Sequence, residues 1–376
     1  MYFLYILILI LLYPFFLLAL IPLSFKAKYS KLYQKFLPFK QHKRADIHFH
    51  FASYGEAVAL SDLIRYYKNK GFSVLLTCSS KTGLLKAKEL DDNAFLLPYE
   101  LFLFFWLKPA KSLVVFEAEL WLNLLKIYKN HNAKTILLNA RMKEKSFKNY
   151  YKFKKYYENI FSNFDFILAQ SIEDKERLEQ FSAKNIEVFT NIKITNKPNV
   201  TKVLNKNKEI VLIASTHEKE EELILNKLDF NFLKDKCLII APRHPERFGE
   251  VANLLKNLNM DFNKYSDDFN GYLDKNVFLL DTLGELINFY AISDYVILGG
   301  SYVDVGGHNF AEPAHFFCKI TAGKFIYSQI AMLKCIDNVV ISDEIDFSNI
   351  KNAKIKEAYT FDNLCEILDR TMNETR

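Results

Sequence analysis

Asp294-Tyr-Val-Ile-Leu-Gly-Gly-Ser-Tyr-Val-Asp-Val-Gly-Gly-His-Asn-Phe-Ala-Glu-Pro313 carries four of the chain's eleven glycines within nine residues: Gly299, Gly300, Gly306 and Gly307. Its opening apolar run reads as a buried parallel strand. Pro313 suits the first turn of a following helix. A strand, a glycine loop and a helix start form an anion cradle, because free backbone N–H groups and the helix dipole point the same way. With glycine scarce elsewhere, the cluster predicts binding of something phosphorylated.

The same strand-then-helix rhythm extends through the chain. Short apolar runs at Ile47–Phe51, Ser73–Thr77, Ala94–Leu97, Leu113–Phe116, Thr135–Leu138 and Phe166–Ala169 predict strands. Helical periodicity falls near 56–69, 82–91, 119–130, 145–163 and 172–182. A polar stretch over 195–208 reads as a linker. Strands resume at Ile210–Ala214, Leu238–Ala241, Val277–Leu280 and Tyr295–Leu298, and a last helix is expected over about 361–372. Alternating βαβ units predict parallel sheets with helices on both faces. The 376 residues suffice for two such domains, with a cleft expected between the carboxyl ends of their strands.

Residues 1–25 hold no charged side chain and are long enough to span a bilayer. They lack the basic n-region and small-residue cleavage site of a signal peptide. Lys26, Lys28, Lys31, Lys35, Lys40, Lys43 and Arg44 follow, with no acid before Asp46. This asymmetry puts the following chain on the cytoplasmic side of an anionic membrane. Crossing is the first reading. A helix lying in the inner-leaflet interface, suggested by Pro14 and Pro22, is the second. Tyr99–Leu107, an aromatic run too short to span, reads as core or as a lipid-facing surface. The position of the basic stretch beside the apolar segment makes anionic lipid, not nucleic acid, its expected partner. The five cysteines are odd in number and widely spaced, as expected of buried thiols in a reducing compartment.

Several strand ends carry polar residues. Glu56, after the first strand, suits a general base at a cleft rim and equally a first-turn helix acid. Glu117 is the first polar residue past the fourth strand, and Glu119 reads as a helix-start acid. Ser215 or Thr216 suits an N-cap or a phosphate. Arg243 suits a phosphate or a pyrimidine carbonyl, or is an ordinary surface arginine. Gly284 permits close backbone approach, and Glu312 is placed to accept ribose hydroxyls. Four strand ends with such turns in one domain form the layout of a nucleotide site. There is no P-loop and no DxD pair, which argues against P-loop enzymes and the common metal-dependent sugar transferases. His217, His244 and His308 lack metal-ligand spacing.

Taken in order, the motifs resemble the bacterial 3-deoxy-D-manno-octulosonic acid (Kdo) transferases of lipopolysaccharide assembly. The matching segments are ASYGE (52–56), EAELW (117–121), LNARMKEKSF (138–147), AQSIEDKERL (169–178), TNIKI (190–194), ASTHEKEEELIL (214–225), APRHPERF (241–248), DTLGELINFYAISD (281–294) and GGSYVDVGGHNFAEP (299–313). Departures are Ala118, Leu122, Tyr54 and the segment after Pro313. The resemblance implies an α/β GT-B fold of two Rossmann-like doubly wound domains. Its expected parts are an anchor (1–25), a basic juxtamembrane segment (26–45), an acceptor domain (46–194), a linker (195–208) and a donor domain (209–376). It implies Kdo transfer from CMP-Kdo to a lipid A precursor at the inner membrane, with no cofactor and no metal in the transfer site. By motif, Glu56 is the expected proton acceptor, and Glu117 and Lys193 assist the transition state. Pro242, Arg243, Leu283, Gly284, Glu285, Gly307, Asn309, Phe310, Ala311 and Glu312 are the expected CMP contacts. The rival readings are another nucleotide-sugar enzyme on the same fold, such as a UDP-sugar transferase or 2-epimerase, and a membrane-tethered nucleotide binder without catalysis.

Overall fold

A computed structural model of the chain describes residues 2–24, 33–36, 38 and 40–373. Residues 26–32, 37 and 39 of the basic stretch lie outside the described residues. The chain divides into two compact units. Unit 1 is Met1–Asn196 with Phe361–Arg376, and unit 2 is Lys197–Thr360.

Unit 1 is built on a parallel sheet of β1 (Ile47–Phe51), β2 (Val74–Cys78), β3 (Ala94–Leu96), β4 (Ser112–Phe116), β5 (Lys134–Ala140), β6 (Phe166–Ala169) and β7 (Ile186–Val188). The order is β3-β2-β1-β4-β5-β6-β7. β1, β2 and β4 are buried at every position, because helices cover both faces. The chain winds one way from β1 to β3 and the other way from β4, so β1 and β4 flank the topological switch point. Ligands of such sheets bind at that crevice, outside the carboxyl ends of the strands.

Unit 2 repeats the plan with β8 (Ile210–Thr216), β9 (Cys237–Pro242), β10 (Phe262–Lys264), β11 (Val277–Leu279), β12 (Tyr295–Leu298), β13 (Lys319–Ala322) and β15 (Val340–Ile341). The order is β10-β11-β9-β8-β12-β13-β15, all parallel, with the switch between β8 and β12. β14 (Ile336–Asp337) and β16 (Lys354–Ile355) form a small antiparallel pair.

Three helices matter below: α1 (Tyr2–Ser24), α2 (Tyr33–Phe36) and α3 (Tyr54–Asn69). α1 is long and apolar enough to cross a membrane, with mean hydropathy 2.5 over Tyr2–Ala19. The helix expected over 145–163 is two helices, Glu144–Tyr151 and Lys154–Phe161.

The expected domain limits differ from the units at two places. The stretch 195–208 is not a free linker beyond Asn196, because unit 2 holds it. Asn288 Oδ1 accepts from Thr201 N at 2.9 Å, Tyr272 donates to Asn205 O at 3.0 Å, and Leu204 is buried. The last helix, Phe361–Asn373, belongs to unit 1 and not to the 209–376 domain. Asp369 accepts from Tyr66 at 2.7 Å and Lys70 at 2.6 Å, and Arg370 reaches Glu187 at 2.7 Å. The short strands β7, β10 and β13 to β16 are additional to those expected: each is only two residues long or contains a polar residue, so no compact apolar run marks it.

Candidate active site

At the β1/β4 switch of unit 1, Glu56 lies in the first turn of α3. Ser53 is the N-cap: its hydroxyl accepts from Glu56 N at 3.4 Å. Glu56 reaches back, accepting from Ala52 N at 2.6 Å and from Ser53 Oγ at 3.1 Å. This resembles a capping box, with the reciprocal bond taken by the amide one residue before the cap, so the first-turn reading holds geometrically. Burial pushes the Glu56 carboxyl above its usual range, against the pull of the Ala52 amide, and the nearby Glu117 adds to the rise. A carboxylate made more basic in this way is also suited to accept a proton.

Glu117 follows β4 with φ 56°, a left-handed backbone that a residue with a long side chain rarely adopts. Its Oε1 accepts from Asn139 Nδ2 at 3.1 Å and lies 3.7 Å from Lys193 Nζ. Asn139 Oδ1 in turn accepts from Ile192 N at 3.0 Å, and Asn191 Oδ1 accepts from Lys193 N at 3.1 Å. The two asparagines thus hold the acid and the lysine side by side. Neither was singled out in the sequence, although both lie inside the motif segments that carry Glu117's neighbours and Lys193.

Glu119 is not a helix-start acid. The helix begins three residues later, at Leu122. Glu119 accepts from Ser79 Oγ and from Trp121 Nε1 (3.0 Å) and lies 3.3 Å from His50 Nε2. Burial pushes its carboxyl up, but the contacts with His50, Ser79 and Trp121 outweigh this and hold it down at about 2. Behind it runs a buried polar chain. His50 Nδ1 meets Thr77 Oγ1 at 2.9 Å, Thr77 Oγ1 meets His48 Nε2 at 2.6 Å, and His48 Nδ1 meets Tyr128 OH at 2.8 Å.

In unit 2 the glycine segment divides into two parts with different work. The amides of Gly300, Ser301 and Tyr302 converge at the end of β12, but not on an open cradle. The fully buried Glu220 accepts from them at 2.7, 3.0 and 2.9 Å and from His217 N at 3.0 Å. The protein's own carboxylate fills that nest. Gly299 serves packing, since a Cβ there would stand 2.7 Å from Ser215 O. Gly306 and Gly307 have φ of 105° and 82°, where a side chain is strained. Gly307 N donates to Gly300 O at 2.8 Å.

Beyond this loop Asn309 Nδ2 donates to Glu312 Oε1 at 2.9 Å, and Asn309 Oδ1 accepts from Ala311 N at 3.0 Å. Phe310 and Ala311 are buried beneath them. Burial raises the Glu312 carboxyl, while Asn309 and the charge of Arg243 pull it down. Arg243 itself is exposed, after the buried Pro242 at the end of β9. The buried Tyr290 hydroxyl is raised by burial and then by Glu312, and it bonds to Ser215. Arg243, Asn309 and Glu312 are therefore electrostatic neighbours, with Tyr290 under them. Leu283, Gly284 and Glu285 follow the adjacent β11. Leu283 is exposed and Gly284 has φ 88°. Burial pushes the Glu285 carboxyl up, but Lys202 at 2.6 Å and Asn288 at 2.8 Å hold it low.

The three histidines also meet. His217 Nε2 and His308 Nε2 are 2.8 Å apart, and the His217 and His244 rings are 5.2 Å apart. Burial, then the neighbouring His217, pushes His308 down to about 4. The pair therefore shares a hydrogen bond between uncharged rings, tying the turn after β8 to the glycine loop.

The family model described as 3-Deoxy-D-manno-octulosonic-acid transferase (kdotransferase) matches residues 27–196. The chain is 31% identical over 304 residues to a 3-deoxy-D-manno-octulosonic acid transferase of Haemophilus influenzae, covering 75% of this chain and 71% of that one. It is 30% identical over 313 residues to a bifunctional glycosyltransferase/methyltransferase of Fusobacterium nucleatum, covering 76% of this chain but 48% of that longer protein. Among solved structures it is similar to the UDP-GlcNAc 2-epimerase of Neisseria meningitidis. That match has TM-score 0.56 and 12% identity, over 87% of this chain and 99% of that one, and it concerns the fold alone.

Proposed function

The chain belongs to the 3-deoxy-D-manno-octulosonic acid (Kdo) transferase family, and from this premise we propose that it transfers Kdo from CMP-Kdo to a lipid A precursor. Unit 2 holds the donor. The Gly307 amide is taken by Gly300 O, so the other amides of the 306–309 turn face the CMP phosphate, Asn309 and Glu312 engage phosphate and ribose, and Pro242, Arg243 and Leu283 to Glu285 complete the nucleotide contacts. Phe310 and Ala311 form the floor. Unit 1 supplies the chemistry. An acceptor sugar hydroxyl attacks the anomeric carbon, the bond to the CMP phosphate breaks, and the hydroxyl proton passes to Glu56. Glu117 and Lys193 stabilise the charge that develops. In this reading the displacement uses no metal, and N–H groups of unit 2 neutralise the leaving phosphate. The enzyme works at the cytoplasmic face of the inner membrane, which its apolar helix and basic stretch engage.

One observation carries this reading: a half-buried carboxylate of raised basicity and an acid–lysine pair stand at the switch point of a sheet that by family membership is a Kdo transferase sheet. Mass spectrometry of a lipid A precursor incubated with the protein and CMP-Kdo tests it. Mass additions of one or more Kdo residues are expected. An unmodified lipid, together with protection against melting by UDP and not by CMP, would replace it with a UDP-sugar enzyme.

A further inference from the structure

α1 has a tyrosine stripe. At 3.6 residues per turn, Tyr2, Tyr5, Leu9, Tyr13 and Phe16 fall within about 80° of one another on the helix. Each makes contact with unit 1. Tyr2 donates to Asn123 Oδ1 at 2.9 Å, and Lys126 Nζ sits 4.7 Å over its ring. Tyr5 bonds to the buried Glu100, and its ring meets Tyr156. Leu9 is buried, and its carbonyl accepts from Tyr99 OH at 3.2 Å. Tyr13 donates to Phe36 O of α2 at 3.1 Å and packs on Tyr99 and Phe102; Phe16 packs on Phe36 and Tyr99. The opposite face is bare: Phe3 is 81% exposed and Leu11 60%, with Leu4, Leu7, Phe15 and Leu18 beside them. Within the segment that receives the stripe, Phe105 is 86% exposed.

The stripe runs about 21 Å along the axis. A helix crossing the hydrocarbon core, about 30 Å thick, has lipid around most of its girth. Crossing with these contacts kept would drag Glu100, Asn123 and Lys126 into lipid, where unpaired polar groups are costly. A usual interfacial helix is amphipathic because its far side meets water. Here the far side meets protein, so the sequence is apolar all round and imitates a span.

We infer that α1 lies in the plane of an anionic lipid surface, fastened to unit 1 by its tyrosine stripe and wetted by lipid only on the face of Phe3, Leu7, Leu11 and Leu18. Charge complementarity selects this occupant: seven basic residues and no acid lie between Lys26 and Arg44. The inference does not depend on which sugar is transferred.

Single cysteines at Phe3, Leu11 and Leu18, labelled with an environment-sensitive fluorophore on the full chain, test it. The five native cysteines are buried and spare the label. In phosphatidylglycerol-containing vesicles, lipids brominated near the headgroup should quench all three sites equally, within about twofold, as for a helix seated at the headgroup–acyl boundary. Strongest quenching of Leu11 by bromines deep in the chains, with Phe3 and Leu18 shallow, overturns it in favour of a span. Absence of quenching with self-association of the labelled protein overturns it in favour of a second copy. An unchanged melting temperature of each variant confirms that the fold is kept.

Discussion

Glu56 closes the start of α3 and is the proposed base, and one substitution separates the two roles. Gln at this position keeps an oxygen for the Ala52 amide but accepts no proton. Glu56→Gln should therefore melt like the wild type and lose about 10²–10⁴ in turnover, the range of a general base. Glu56→Ala should lose the same activity and also about 1 kcal/mol of stability, read by denaturant unfolding. Near-normal turnover of folded Glu56→Gln would remove the base from the mechanism. In unit 2, Glu312→Ala should weaken CMP binding about 10- to 100-fold in calorimetry, the range for a hydrogen bond to a charged group. The carboxylates were legible in the sequence because they lie in the turns after apolar strands, Glu117 as the first polar residue past its strand. Their supports, Asn139 and Asn191, were not. An asparagine beside a strand looks like turn chemistry until its partner, 52 residues away, is known.

The element that decides the donor side is the turn after β12. The glycines announced it, but the carboxylate that fills its nest comes from 80 residues upstream. Glu220→Gln removes an acceptor oxygen and leaves buried amides unpaired. A loss of about 2–4 kcal/mol is expected, measured by urea unfolding. CMP affinity should fall with it, because Gly307 hangs from Gly300 O and His308 from His217. Gly299→Ala drives a methyl against the carbonyl of Ser215 and should cost about 1–3 kcal/mol. The aromatic run at 99–107 shows the same division within one element. Leu103 and Trp106 are core, whereas Phe104 and Phe105 face outward. The core reading of that run therefore holds for Leu103 and Trp106 and not for Phe104 and Phe105.

At the scale of the molecule, Glu100 couples the apolar helix to the rest of unit 1. It accepts from Asn123 N at 2.8 Å and bonds to Tyr5. Burial lifts its carboxyl to about 7 from an ordinary 4.5, against the pull of the Asn123 amide. The folded state therefore holds a proton that the unfolded state has released. Its stabilising effect is full below the ordinary value and is lost as pH rises toward about 7. Melting temperature should fall across that window, and Glu100→Gln should flatten the fall; an unchanged profile would mean the carboxyl titrates normally. The sequence alone determined two doubly wound α/β units, the strand ends that carry polar residues, and an uncharged segment followed by lysines. These are properties of local order, since burial on two faces, alternation and glycine content repeat over a few residues. Only the tertiary structure decided what fills the nest after β12, that His217 meets His308, that the last helix joins unit 1, and which side of α1 is covered. Each depends on partners tens to hundreds of residues apart, and local periodicity does not encode which distant surface a face will meet.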